Sequence, residues 1–303
     1  MKSILNYLKD LYSGPFQAAL VFSFTFVAAL TIGIGTWVIS NTITSYLAEA
    51  MDERIEQDIL TAEIFYQFQI EDLAKSANQL ALSKTVDSYF ADANAGDLDA
   101  VRELESKVQT VLLDGMLKGN RVAVILDDQG ELIVGVTRST DQEQYLLCPG
   151  ISWLGFPVIE EVLRTGTLIS STEVIPKEIL QDTDLVDQAQ ITLMDTAKAA
   201  PELFDIREGS AGLGIIGAAP IREEDSIIGV VVIFHMFNND FTLVDAIKDS
   251  AKIDTATIFF GDLRVSTNVM TENGERAVGT GSRRMLTRLF YKTDWNMSAQ
   301  PLL

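Results

Sequence analysis

From Leu11 to Ala48 the chain carries not one charged residue, and positions 16–39 within that stretch are dominated by Phe, Leu, Val, Ile and Ala. A helix of about 24 residues rises roughly 36 Å, enough to cross a hydrocarbon core of about 30 Å with some tilt. The core of a cleaved signal peptide is shorter, roughly 7–15 apolar residues, although Ala48-Glu49-Ala50 has the small-x-small form of a cleavage site. No polar face interrupts the run, as one would in the buried helix of a soluble protein. Tyr12, Trp37 and Tyr46 sit near its ends, where interfacial aromatics belong. We therefore expect a cytoplasmic tail over 1–13 and a single transmembrane helix over 14–40. Lys2 and Lys9 precede the span, and only Arg54 follows it closely. That bias places the N-terminus in the cytoplasm and the bulk of the chain outside the inner membrane.

Charge and composition remove several function classes. The 303 residues contain 43 Asp and Glu against 23 Lys and Arg, a formal charge of -20. Such a surface repels a phosphate backbone, so no nucleic-acid partner is expected. With 47% apolar residues there is enough to bury a real core. A single Cys, Cys148, forbids an internal disulfide, and a single His, His235, forbids multi-His metal chemistry. Any triad-type enzyme would have to run through His235, which sits in an apolar strand pattern as a partnered structural residue would. No enzyme activity, metal or cofactor is expected.

Beyond the span, apolar residues recur at helical spacing: Tyr46, Met51, Ile55, Ile59, Leu60, Ile64, Phe68 and Ile70. A break over Asp92–Asp97 precedes Val101, Leu104, Val108, Val111 and Leu112. We read 41–118 as a helical stalk whose stripe either pairs with a second copy, giving a homodimer, or packs on its own domain.

After Gly119 the period shortens to that of strands. Val122–Leu126, a turn at Asp127–Gly130 and Leu132–Thr137 form a hairpin signal. A loop follows through Gly155, then a short helix at Pro157–Thr165 and a strand at Thr167–Ile175. Gly214–Ile221 and Ile227–Phe237, joined at Arg222–Ser226, form a second hairpin. Ala256–Phe260 and Leu263–Val269 repeat the opening hairpin, and Ser298–Pro301 echoes Gly217–Pro220. The pattern predicts an α+β fold, an antiparallel sheet with helices outside, followed by a second and incomplete copy.

Familiar chemical motifs fail on context. Gly212-Leu-Gly-Ile-Ile-Gly217 matches the dinucleotide fingerprint, but Pro220 lies where the phosphate-binding helix would run. These glycines are better read as the start and bend of a strand. Asp127-Asp128-Gln129-Gly130 lacks the alternating spacing of a calcium loop.

One segment carries a family likeness. The block TATIFFGDLRVSTNV followed by GERAVGT, inside Asn238–Thr280, resembles the junction between the two modules of double Cache sensor regions of bacterial sensor histidine kinases and chemoreceptors. AAPIREEDSIIGVVVIFHMF is similar to the closing hairpin of their membrane-distal module. The resemblance implies PAS-like modules carried on one long helix, a distal one over 119–238 and a truncated proximal one over 239–303. It also implies an extracytoplasmic small-molecule sensor of a signal-transduction receptor, here without an output domain. The alternative is a non-enzymatic protein that pairs through its stalk helix with a membrane receptor. For a small anionic metabolite held between the sheet and the loop Arg138–Phe156, the candidates are Arg138 as carboxylate grip, Tyr145 and Trp153 as walls, and Glu173 facing an amine. Arg264, Asn268, Arg276 and Thr280 belong to the family block, with a structural role in the hairpin turn and the loop after it.

Overall fold

The computed structural model describes residues 15–114, 119–139, 144–194, 211–261 and 263–281. The expected tail over 1–13 and the Ser298–Pro301 echo lie outside them. The chain divides into two compact units, 1–60 and 61–303.

The first unit holds the greater part of helix α1, which runs Pro15–Ala81. Within this unit the apolar residues whose burial is described, Phe22, Phe24, Ile32, Trp37 and Ile39 among them, are exposed. The helix is long and apolar enough to cross a membrane.

The second unit begins inside the same helix, and here the apolar stripe changes use. Ile55, Ile59, Leu60, Ile64 and Phe68 are exposed, whereas Leu73, Ala74, Ala77 and Leu80 are buried. The helix stops at Ala81, because Ser83 takes an extended conformation and its hydroxyl accepts the Val86 N–H at 3.3 Å. Helix α2 (Lys84–Asn94) and helix α3 (Leu98–Asp114) follow, separated by a turn at Gly96. They bury Val86, Phe90 and Ala93, then Ala100, Leu104, Val108 and Leu112. The segment read as stalk therefore contributes core from residue 73 to residue 112. The periodicity is the same on both sides of Leu82 and does not tell which stripe a sheet will cover.

That sheet has six strands in the order β3-β2-β1-β6-β5-β4, all neighbours antiparallel. Strands β1 (Arg121–Asp127) and β2 (Leu132–Arg138) are the first expected hairpin. Strands β5 (Gly212–Glu223) and β6 (Ser226–Met236) are the second, and β4 (Ile169–Ile175) is the expected intervening strand. Strand β3 (Gln144–Leu146) lies inside the segment read as a loop. It pairs with Val136–Arg138, a tertiary contact with no local signal.

Alternation sorts the two faces. Ala123, Ile125, Val134, Val136, Ile215, Val231 and Ile233 join the core made with α1–α3. Val122, Val124, Ile216, Ala218, Val232 and Phe234 form a second core with Trp153 and Phe156, and with helices α4 (Pro157–Thr165), α5 (Lys177–Asp182) and α6 (Val186–Ala189). The glycine fingerprint lies within strand β5, and no helix begins there.

Helix α7 (Thr242–Ala251) leads to a two-stranded sheet of β7 (Thr257–Phe260) and β8 (Leu263–Thr267), the repeated hairpin. Leu243, Ile247, Leu263 and Val265 belong to the same core as α1–α3. The α+β arrangement expected from the sequence, a long helix followed by an antiparallel sheet with helices outside, is the one observed.

Candidate functional site

The two faces of the sheet carry different chemistry at the end where β2 leads to β3. On the face turned toward α4–α6, one row of paired residues reads Tyr145, Thr137, Val122, Phe234, Ile216, Ser171 across all six strands. Trp153 lies over its middle, with its ring centroid 6.4 Å from that of Phe234. The backbone puts it there: Leu132 N–H donates to Ile151 O at 2.8 Å and Trp153 N–H to Gly130 O at 2.8 Å. These bonds lay residues 151–153 along the start of β2.

Three polar atoms in this row and its cover are buried and make no hydrogen bond among the described residues: Thr137 Oγ1, Trp153 Nε1 and Ser171 Oγ. Leaving such groups unmatched costs about 1–3 kcal/mol each. An apolar floor of Val122, Phe234 and Ile216, an aromatic lid and a few unmatched polar atoms make the pattern of a small-molecule site. Tyr145, 38% exposed, stands at its outer rim. Glu173 shares the face two residues beyond Ser171, opposite Gly214.

Arg138 does not join Tyr145 and Trp153. It is one residue after Thr137, so its side chain points to the opposite face, where its Nη1 donates to Leu112 O at 2.9 Å and ties down the end of α3. The carboxylate grip expected of it is thus separated from the expected walls by the sheet itself. Thr137 and Ser171 went unread because a single hydroxyl inside a strand pattern gives no signal until the register is known.

On that opposite face the neighbouring row reads Gln144, Arg138, Arg121, His235, Ile215, Thr172. Thr172 bonds the Tyr66 hydroxyl on α1. His235 Nε2 lies 3.3 Å from Asp240 Oδ2, both side chains fully enclosed. Burial pushes the His235 imidazole down to about 4, Arg121 and Arg138 push the same way, and Asp240 opposes them. Burial also draws Arg121 down to about 10, with Arg138 adding to it and Asp72 opposing.

The family-block residues brace the C-terminal hairpin. Arg264 Nη1 donates to Thr280 Oγ1 at 2.6 Å, and its guanidinium lies over Phe259. Asn268 Oδ1 accepts the Ala256 N–H at 2.8 Å. Arg276 holds Asp245 through two bonds of 2.9 and 2.8 Å, donates to Thr267 O and stacks 4.2 Å from the Phe241 ring centroid. Arg276→Leu should lower the urea midpoint by an amount equivalent to about 1 kcal/mol, a partly exposed pair being worth little more. An unchanged midpoint would remove Arg276 from the list of braces.

The match that bears on this architecture is local. Residues 235–290 match the family model described as single Cache domain 3. The fold is similar to several solved sensor domains. For the extracellular domain of vpHK1S-Z8 the TM-score is 0.41 at 11% identity, covering 63% of this chain and 60% of that one. For the Vibrio cholerae DctB sensor domain it is 0.43 at 11% identity, covering 73% and 68%. For the sensory domain of the Campylobacter jejuni chemoreceptor Tlp3, solved with isoleucine bound, it is 0.38 at 10% identity, covering 74% and 73%. No curated protein sequence matches the chain.

Proposed function

We propose that this chain is the membrane-anchored, extracytoplasmic sensor region of a signal-transduction receptor, and that it binds a small molecule between the β1–β6 sheet and Trp153. The observation that carries this reading is the pair of buried, unmatched groups Thr137 Oγ1 and Trp153 Nε1 on one apolar face. The indole N–H needs an acceptor and the hydroxyl can supply either role, a pair suited to a carboxylate or carbonyl. The single Cache match over 235–290 supports the sensor class. On this reading 14–40 crosses the inner membrane with the N-terminus inside. Residues 119–238 are then the distal module, and 239–303 begin a proximal one that docks through Leu243, Ile247, Leu263 and Val265.

The test is thermal unfolding of the full chain in detergent with a panel of small carboxylates and amino acids. One compound class should raise Tm saturably, and Thr137→Val and Trp153→Phe should each weaken that response about tenfold. Silence across the panel, or a response intact in both variants, would overturn the assignment.

A second reading rests on a different observation. Tyr46, Leu47, Met51, Ile55, Ile59 and Leu60 form an exposed apolar stripe on α1, suited to pairing with a second copy or a membrane receptor. Crosslinking from Cys substituted at position 55, after Cys148→Ser, would show such pairing directly.

A further inference from the structure

The sheet face under α1–α3 carries one row rich in polar side chains, and two of its buried members, His235 and Arg121, make no hydrogen bond among the described residues. His235 at least faces Asp240 at 3.3 Å, whereas Arg121 has no such neighbour. Arg138 donates to Leu112 O, and Thr172 bonds Tyr66. Asp240 is engaged elsewhere: Oδ2 accepts the Asn120 N–H at 2.8 Å, and Oδ1 accepts the Thr242 N–H at 2.9 Å and its hydroxyl at 2.6 Å. Arg121 stands between Arg138 on one neighbouring strand and His235 on the other. It is 1% exposed, yet Nε, Nη1 and Nη2 reach no acceptor among the described residues.

Even drawn down by burial, the Arg121 guanidinium keeps its proton at neutral pH, so it cannot escape this position by neutralising. A buried and unanswered charge is among the most destabilising features a fold can hold. The opposed pairing makes it worse, since like charges directly across a strand pair repel. Asp72 on α1 acts on Arg121 through space but makes no hydrogen bond to it. A buried water would satisfy N–H groups without relieving the repulsion between the two arginines. A small anion does both.

We propose that Arg121 is the base of an enclosed binding site for a small monovalent anion, a halide or a carboxylate of formate size, lying between the sheet and α1 and flanked by Arg138 and His235. The limit on size follows from the neighbours, since Ala123, Val136 and Ile233 of the next row and Leu73 of α1 are apolar and buried. The limit on charge follows from Asp72 and Asp240, which would repel a divalent oxyanion. The site lies on the opposite face from Thr137 and Trp153 and does not depend on the sensor reading. Because α1 forms part of its cover, occupancy would stabilise the seating of α1 residues 70–81 on the sheet.

The experiment is thermal unfolding of the full chain at constant ionic strength while sodium methanesulfonate, whose anion is too bulky to enter, is replaced by sodium chloride or, separately, by sodium formate. Tm should rise saturably by roughly 2–6 °C in one of the two series, and the series that responds identifies the anion. Arg121→Met, which replaces the charge with an apolar side chain of similar length, should abolish the response, while Thr137→Val should leave it intact. Crystals grown in sodium bromide give a readout that needs no variant: an anomalous peak within hydrogen-bonding distance of the Arg121 guanidinium. No anion-dependent shift in either series, a shift that survives in Arg121→Met, or, where chloride is the responding anion, a water without a bromide peak at Arg121 would each overturn the proposal.

Discussion

Gly217→Ala is expected to cost roughly 3 kcal/mol or more of stability and to lower the denaturant midpoint accordingly. A Cβ at this position would lie 2.5 Å from the Leu73 carbonyl carbon, 2.6 Å from the Ala74 nitrogen and 2.6 Å from the Leu73 oxygen. All three are backbone atoms of α1, so no rotamer change can make room and the helix itself must lift from β5. Gly155→Ala is the control, because a Cβ there meets nothing within 4 Å. Equal midpoints for the two variants would show that α1 is not seated on β5 as described. The same contact explains the third glycine of the fingerprint Gly212-Leu-Gly-Ile-Ile-Gly217, which serves helix packing and not a pyrophosphate.

Acid is expected to destabilise the protein through His235 before its carboxylates titrate. Burial holds this imidazole near 4 in the folded chain, against 6.5 when it is free. The unfolded chain therefore takes up a proton below about pH 6.5 that the folded chain refuses. Stability contributed by neutral His235 is present above that pH and is lost as pH falls toward 4. The slope approaches about 1.4 kcal/mol per pH unit, so the loss between pH 6.5 and 5 is on the order of 2 kcal/mol. No other histidine obscures this window. Equilibrium urea unfolding at both pH values, in methanesulfonate to leave the Arg121 site empty, measures the loss. His235→Gln should flatten the dependence, and an equally steep dependence in that variant would assign the proton to another group.

How far the sequence foretold this molecule depends on the range over which each signal acts. Pro157–Thr165 was delimited correctly because Pro157 and Gly166 mark its ends in adjacent positions. The β1–β2 and β5–β6 hairpins were legible from alternation and from their turns. The end of α1 at Ala81 was missed, although Ser83 is a capping residue, because apolar spacing continues across it. Strand β3 was missed because its three residues are defined only by pairing with β2. The site residues show the same division: Trp153 stood out by type, whereas Arg138 was assigned to the wrong face of the sheet. Moving one residue along a strand reverses the direction of a side chain, and composition carries no record of that. Arg121, at the head of β1, lies just before the strand read from the sequence at Val122 and is one of the largest fully buried side chains.

The strand order has a consequence for how the chain reaches its native state. The centre of the sheet is the pairing of Arg121–Asp127 with Gly229–His235, partners that are about a hundred residues apart in sequence. Hairpins β1–β2 and β5–β6 close over short loops and can form early, but neither completes the core until the other docks on it. During synthesis, α1–α3 and β1–β2 therefore emerge with their apolar faces uncovered and wait for the last residues of β6. Folding of this domain should be slow and all-or-none, and a chain cut before residue 236 should be a target for chaperones and proteases.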